Sequence, residues 1–222
     1  VGHSLMAVEG GGGQGDPESQ DLAIYANAGA PLGNGWDAYG WLGWQTRDAS
    51  AAAFYRNPDD NAQNPAYGGV RVYPDGYLPY ILTETDDLTL VGGIRGQVGG
   101  YDVDINLGYG RNAIDFGAEN TLNPSYGPTS PTSFYAGSLT YDQLVFGIDA
   151  TRQVDIGWYG PLNVAFGLEA RRETYEIGAG EPGSYERGTF TTVNGVNTTW
   201  GSRGFTGFTP ANEVDEDRSN VG

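Results

Sequence analysis

The sequence predicts an all-β protein: an antiparallel up-and-down (meander) β-barrel or barrel segment of six to eight strands, with short turns on one side and long loops on the other. Three observations predict it: a glycine- and aromatic-rich composition, segments that alternate apolar and polar residues, and alternating short and long connections. Glycine supplies 37 of the 222 residues. Because an interior glycine destabilises a helix by about 1 kcal/mol relative to alanine, this composition disfavours helices. The 15 tyrosines and 5 tryptophans are residue types enriched in strands.

Residues 1–20 are predicted to be a flexible glycine-rich segment, and residues 21–222 the β-barrel segment. The short stretch GHSLM resembles the Gly-x-Ser-x-Gly elbow of lipases and esterases, which makes Ser4 a weak candidate for a catalytic nucleophile. An elbow needs a strand before it and a helix after it, and the only histidine, His3, is the immediate neighbour of Ser4. A chance match is therefore favoured. A small autonomous β-barrel with esterase-like hydrolase activity, from a truncated gene, is the alternative function.

Six segments alternate with a period of two, which predicts long strands with one apolar and one polar face, because successive side chains leave a strand on opposite sides. They span residues 22–32, 36–46, 88–98, 101–110, 139–152 and 162–170. In YDVDINLGYG the odd-numbered residues are apolar, and Asp102, Asp104 and Asn106 lie on the other side. In the fifth segment the apolar set changes parity, which predicts a bulge near Asp142–Gln143.

The connections between these segments alternate in length. Tight turns are predicted at Asn34-Gly35, at Gly99-Gly100 and at GWYGP, residues 157–161. Long loops are predicted between Asp48 and Asp87, between Phe116 and Tyr135, and after Tyr175, with a hairpin at Asn194-Gly195. This alternation is typical of outer-membrane barrels. Each tight turn carries a tyrosine or tryptophan, the residue types that favour the lipid headgroup boundary.

The predicted strands of nine to eleven residues are long enough to cross a bilayer. We therefore expect the apolar face to contact outer-membrane lipid or detergent, and the polar face to line the barrel. The residues expected to line the lumen or bind ligand are Asp102, Asp104, Asn106, Asn163, Glu169, Arg171 and Glu173. For the last three, an ion-pair ladder that satisfies charges inside the barrel is the favoured alternative. A soluble barrel or sandwich, with its apolar side chains buried inside the sheet, is a further alternative.

Charge and composition exclude several function classes. A net charge of −17 argues against nucleic acid as a partner. The absence of cysteine excludes disulfides and thiolate metal sites, and we expect no cofactor and no metal. Acidic clusters at Asp59-Asp60, Asp86-Asp87 and Glu213–Asp217 lack the spacing of a known calcium loop, so solvated loop charge is favoured.

Four segments resemble the barrels of TonB-dependent outer-membrane receptors. They are GDPESQDLAIYANAGAPLGNGWDAYG (15–40), VYPDGYLPYI (72–81), NTLNPSYGPTSPTSFYAGSLTYDQ (120–143) and LNVAFGLEARRETYEIGAGEPGSY (162–185). The resemblance implies an interior part of a receptor barrel, without the family's plug domain or closing strand. It also implies the outer membrane of a Gram-negative bacterium, and binding and uptake of a scarce nutrient such as a siderophore or glycan. The TonB system would be a partner only in a full receptor, and open strand edges would favour a homo-oligomer.

Overall fold

The computed structural model describes residues 5–9 and 17–222, with side chains from residue 17 onward. The strands in this part of the chain are β1 Leu5–Glu9, β2 Glu18–Gly33, β3 Trp36–Ala52, β4 Tyr80–Val98, β5 Tyr101–Glu119, β6 Ser133–Val154, β7 Leu162–Ala179, β8 Thr192–Val193, β9 Val196–Asn197 and β10 Val214–Val221. Helical structure in the same part of the chain is limited to α1, Pro182–Tyr185, and to 3-10 turns at Pro124–Thr129 and Pro210–Asn212. The predicted all-β fold class is confirmed.

The long strands form one antiparallel sheet in the order β1-β2-β3-β4-β5-β6-β7-β10. Consecutive strands are neighbours from β1 to β7, which confirms the meander. Within the described ranges β1 and β10 do not pair with each other, so the sheet is open and does not close into a barrel. Strand β1 and the first residues of β2 lie within residues 1–20, the segment predicted to be flexible.

Short and long connections lie at opposite ends of the sheet, as predicted. Asn34 and Gly35 have φ of 54° and 79°, and Gly99 and Gly100 have φ of 60° and 82°, the left-handed values that a two-residue hairpin turn requires. The third short connection joins β6 to β7. The long loops are residues 53–79, 120–132 and 180–213. The predicted hairpin at Asn194-Gly195 is confirmed and joins β8 to β9.

The bulge predicted near Asp142–Gln143 is wrong. The pairing of β6 with β7 is regular there, and the extra residue of β6 is Ala136, opposite β5. The parity change in the sequence has another cause. Leu139 and Tyr141 lie on the polar face, whose loop end is covered by folded loops and therefore carries apolar side chains. The apolar residues changed face because their surroundings changed along the strand, not because a residue was inserted.

The largest fully buried side chains lie in the three long loops. We call residues 53–79, 120–132 and 180–213 together the loop cap. Its fully buried residues include Asn64, Pro65, Pro79, Thr121, Leu122, Asn123, Pro124, Ser125, Ser184 and Ser202. A soluble sandwich has its core between sheet faces. Here the core lies in the loop cap and against the loop ends of β5 and β6, where Ala118, Phe134 and Ala136 are buried.

Buried polar groups tie the three loops into one unit. The side-chain amide of Asn123 donates to the carbonyl oxygens of Gly183 and Glu186, at 2.9 and 2.8 Å, and so joins the second loop to the third. The backbone N–H of Thr199 donates to the carbonyl of Ala62 at 2.9 Å and joins the third loop to the first. Because buried polar groups in native proteins are nearly always hydrogen-bonded, these contacts define the packing of the cap.

Candidate functional site

One face of the sheet carries a continuous band of apolar side chains across six strands. Residues directly opposite each other in an antiparallel ladder share a face, so the register defines the band. It consists of the even-numbered residues of 22–32, 36–44, 88–98, 144–154 and 162–170 and the odd-numbered residues of 101–109, with Arg152 and Tyr109 at its borders. We call this set the apolar band. One of its rows reads Ala30, Ala38, Ile94, Ile105, Ile148 and Leu168.

Nothing within residues 17–222 covers the apolar band. Phe166 is 62% exposed, Leu168 50%, Leu90 50% and Leu107 51%. Exposed apolar patches of this width mark interaction surfaces. The burial of apolar side chains inside the sheet, which a soluble barrel or sandwich requires, is not observed for these residues.

At the short-turn end of the sheet, successive strands extend progressively further beyond any given row of paired residues. A single row of paired residues, Asp37, Arg95, Asp104, Asp149 and Gly167, crosses β3 to β7. From this row toward the turns, β3 continues for one residue, β4 and β5 for three, and β6 and β7 for five. From one hairpin to the next, the strands therefore extend two residues further toward the turns, which is an average shift of one residue per strand.

The opposite border of the apolar band slopes in the same direction. The last apolar-band residues before the loops are Leu22, Trp44, Leu88, Tyr109, Leu144 and Ala170. Counted from the same row, extended to Pro31 in β2, they lie nine, seven, seven, five, five and three residues away. The next residue on this face is polar in every strand: Gln20, Thr46, Asp86, Arg111, Asp142 and Arg172. The band thus keeps a nearly constant height while it runs obliquely across the register.

Charged and aromatic groups mark both borders of the apolar band. At the loop side Arg172 pairs with Asp217 at 2.6 Å. At the turn side the guanidinium of Arg152 lies 5.4 Å from the centroid of the Tyr101 ring. The adjacent turn exposes Trp158, which is 77% accessible. Amphipathic side chains of this kind suit a boundary between an apolar and an aqueous medium.

The structure places all seven predicted lining residues on the opposite, polar face. Glu169 pairs with Arg171 at 2.8 Å. Glu173 is 9% exposed, and its carboxylate accepts hydrogen bonds from the Tyr141 hydroxyl and from the Arg218 guanidinium. These contacts match the ion-pair ladder that was the favoured alternative for Glu169, Arg171 and Glu173.

Asp102 and Asp104 lie in a recess of about 610 Å³ at the turn end of the polar face. The Asp104 carboxylate accepts hydrogen bonds from the Tyr39 hydroxyl at 2.8 Å and from the Asn106 amide at 2.9 Å. Asp37, Arg95, Gln97 and Asp149 also line the recess. Asn163 does not line it and lies exposed near the turn, opposite Gln153.

Sequence reasoning missed Asp37, Arg95 and Asp149 as members of the recess. The signal was present, because each alternates with an apolar-band residue: Ala38, Ile94 and Ile148. Four aspartates and one arginine give the recess a negative charge. This wall would disfavour anions and favour cationic groups near the turns.

The loop cap folds onto the loop end of the polar face. The Phe205 ring stacks on Phe116 of β5, with centroids 5.1 Å apart, and Phe208 meets both rings edge-on at 5.9 Å. Deeper in the cap, burial raises the pKa of Tyr67 to about 12. The Tyr67 hydroxyl donates to the carbonyl of Pro124. The cap is thus a packed lid at one end of the polar face.

Ser4, the weak catalytic candidate, lies outside the described residues. In residues 17–222, no group of three or more histidine, aspartate or glutamate side chains is arranged to hold a metal ion. Every helix in the described ranges is too short or too polar to cross a membrane. Comparison with protein-family models, with curated proteins and with solved structures finds no match for the chain.

Proposed function

We propose that the chain forms part of the wall of an outer-membrane β-barrel of the TonB-dependent receptor kind, which binds a scarce nutrient and takes it into a Gram-negative cell. In this proposal the apolar band contacts lipid, the polar face lines the passage, and the loop cap lies on the outer side. The observation that carries it is the oblique course of the apolar band across the strands.

The slope of the band supports strands that cross a bilayer at the tilt typical of barrels. The turn-side border shifts by one residue per strand and the loop-side border by six residues over five strand steps, which is a rise of about 3.3 to 4 Å for each strand spacing of about 4.8 Å. If both borders are parallel to a membrane, the strands are inclined by about 35 to 40°. Outer-membrane barrels have strand tilts of about 35–45°.

The height of the band supports the same conclusion. The border residues of each strand lie eight to ten residues apart. At this tilt they span about 20 to 27 Å, close to the roughly 25 Å apolar band of outer-membrane barrels. Soluble barrels also stagger their strands, so the decisive feature is that this band of constant height is apolar and exposed.

The receptor kind and the uptake role are supported by the four resembling segments and by the polar face. In a closed barrel, Asp102, Asp104, Asn106 and Glu169 would face the solute or a plug. Glu169, Arg171 and Glu173 each have a partner of opposite charge on the polar face. This pairing would reduce the cost of placing their charges inside a barrel.

Single-cysteine labelling tests the proposal directly, since the chain has no cysteine of its own. Leu90→Cys places an environment-sensitive fluorophore in the apolar band, and Thr89→Cys places the same probe one residue away on the polar face. In vesicles that contain nitroxide-labelled lipid, the label at residue 90 should emit at shorter wavelength and be quenched. The label at residue 89 should be unaffected. Equal, water-like emission at both positions would contradict the proposal.

A further inference from the structure

Two aromatic side chains are exposed on the polar face of the sheet. Tyr25 of β2 is 58% exposed and Trp41 of β3 is 43% exposed. Neither ring takes part in an aromatic pair or a cation–π contact within residues 17–222. Tyr39 differs, although it lies on the same face, because the Arg95 guanidinium lies 5.8 Å from the centroid of its ring. Tyr25 and Trp41 therefore leave ring surface free for a partner from outside these residues.

The two exposed rings converge over one glycine. Tyr25 is paired with Gly43 in the register, and Trp41 precedes Gly43 by two residues on the same face. A Cβ atom at Gly43 would lie 3.1 Å from Cε1 of Tyr25 and 3.7 Å from Cζ3 of Trp41. Gly43 itself is buried. Because this position has no side chain, rings from two neighbouring strands form one surface, which we call the aromatic platform.

Neutral polar groups border the aromatic platform. Asn27 is paired with Trp41, and Thr89 is paired with Gly43. Gln45 is the next residue of β3 on this face. Amide groups both donate and accept hydrogen bonds, and so does a hydroxyl. The platform thus combines aromatic surface with neutral hydrogen-bonding groups.

The charged residues around the aromatic platform are either partnered or distant from the rings. Toward the loops, Arg47 pairs with Asp21, and the Asp87 carboxylate accepts a hydrogen bond of 2.6 Å from an amide of β5. Toward the turns, Asp37 is four residues from Trp41 along β3, which is about 13 Å. The chemistry at the platform therefore suits an uncharged solute.

We propose that the aromatic platform binds a sugar ring of an uncharged glycan. The faces of a sugar ring carry C–H groups, which suit the negative face of an aromatic ring, and its rim carries hydroxyl groups that match the bordering amides. Small-molecule sites commonly have this composition of aromatic surface with a few polar groups.

The aromatic platform lies at the height of the apolar band, since Trp41 lies between Gly40 and Leu42 of that band. In the proposed function the platform faces the passage. The role of glycan binding in uptake rests on that function and narrows the nutrient to a glycan. Binding of the sugar ring itself does not depend on membrane insertion.

The test is isothermal titration calorimetry of the protein solubilised in lauryldimethylamine oxide, a detergent without a sugar headgroup. Maltohexaose and cellohexaose are the probes, and N-phenyl-1-naphthylamine, an uncharged apolar dye, is the comparison. The wild type should bind at least one of the two glycans. Trp41→Leu and Tyr25→Leu should each weaken that binding by about 2- to 13-fold, the value of one aromatic contact. Trp41→Phe keeps a ring and should bind more tightly than Trp41→Leu.

Two further variants separate a sugar site from a general apolar surface. Asn27→Leu should weaken glycan binding without weakening dye binding, because it removes a hydrogen-bonding group and no ring. The matched control is Trp158→Leu, at an exposed tryptophan in the turn between β6 and β7, which should bind glycan as the wild type does. Because all the substituted side chains are exposed, the variants should retain the sheet, which circular dichroism verifies.

The proposal is overturned if neither glycan binds the wild type, if only the dye binds, or if Trp41→Leu and Tyr25→Leu bind as Trp158→Leu does. A quenched, short-wavelength label at residue 90 would in that case still support the lipid-facing band. Glycan binding together with equal, water-like emission from labels at residues 89 and 90 would retain the platform and contradict its role in uptake.

Discussion

A charge placed at mid-height of the apolar band gives the most demanding mutational test. Ile94 is 37% exposed and lies four residues from the turn end of β4 and six residues from Leu88 at the other border. Ile94→Arg should cost about 2–4 kcal/mol of folding free energy in a bilayer. This corresponds to a change of about 30- to 700-fold in the folding equilibrium constant. The same substitution at the border, Val98→Arg, should cost only about 0–1 kcal/mol.

The assay is reversible urea unfolding of the protein in lipid vesicles, followed by tryptophan fluorescence. The polar-face variant Gln97→Arg, in the same strand, controls for any general effect of added positive charge. In a soluble protein, surface substitutions are usually within about 0.5 kcal/mol, whatever their height along the strand. Equal effects of Ile94→Arg and Val98→Arg would therefore refute the assignment of the band to lipid.

Three further predictions concern the loop cap. Asn123→Ala leaves two part-buried carbonyls without their donor and should destabilise the cap by about 1–3 kcal/mol in urea unfolding. A loss below about 0.5 kcal/mol would contradict the packing described. Burial raises the pKa of Tyr67 to about 12 and raises that of Tyr77. Their stabilisation is therefore complete below the unfolded value near 10 and is lost as the pH rises through the folded values, so melting temperature should fall between pH 10 and 12. Tyr67→Phe should reduce that fall, and an unchanged fall would argue against it. Gly207→Ala would drive a Cβ into the buried side chain of Ser184 and should cost about 1–3 kcal/mol in the same unfolding assay, whereas an unchanged midpoint would contradict that close contact.

The two faces of the sheet were predictable because the alternation of side chains is fixed by strand geometry. In β5, the separation of Val103 and Ile105 from Asp102 and Asp104 follows from position alone, and the register then extends it to the neighbouring strands. The tight turns were predictable for a similar reason, since Asn34-Gly35 matches the left-handed values that the turn demands.

The loop ends of the strands were not predictable from alternation. Strand β6 begins at Ser133, six residues before the segment predicted from residue 139. The alternating pattern does not mark this start, because both faces change environment between the apolar band and the loops. Leu139 is apolar on the polar face since the cap covers that end. An alternating pattern along one strand carries no information about whether distant loops pack onto one of its faces.

The loop cap could not be derived from the sequence, because its contacts join residues far apart in the chain. Asn123 reaches Gly183 and Glu186 across about sixty positions. Polar, glycine-rich and proline-rich segments read as solvated loops, whereas their polar side chains here satisfy one another and become buried.

The orientation of the strands in a lipid bilayer tests the central claim most directly. Polarised infrared spectroscopy of the amide bands, on protein reconstituted in oriented bilayers, measures the mean strand inclination. We predict strands inclined by about 35 to 40° from the bilayer normal. Strands parallel to the bilayer surface, or protein that does not associate with the bilayer, would contradict the account.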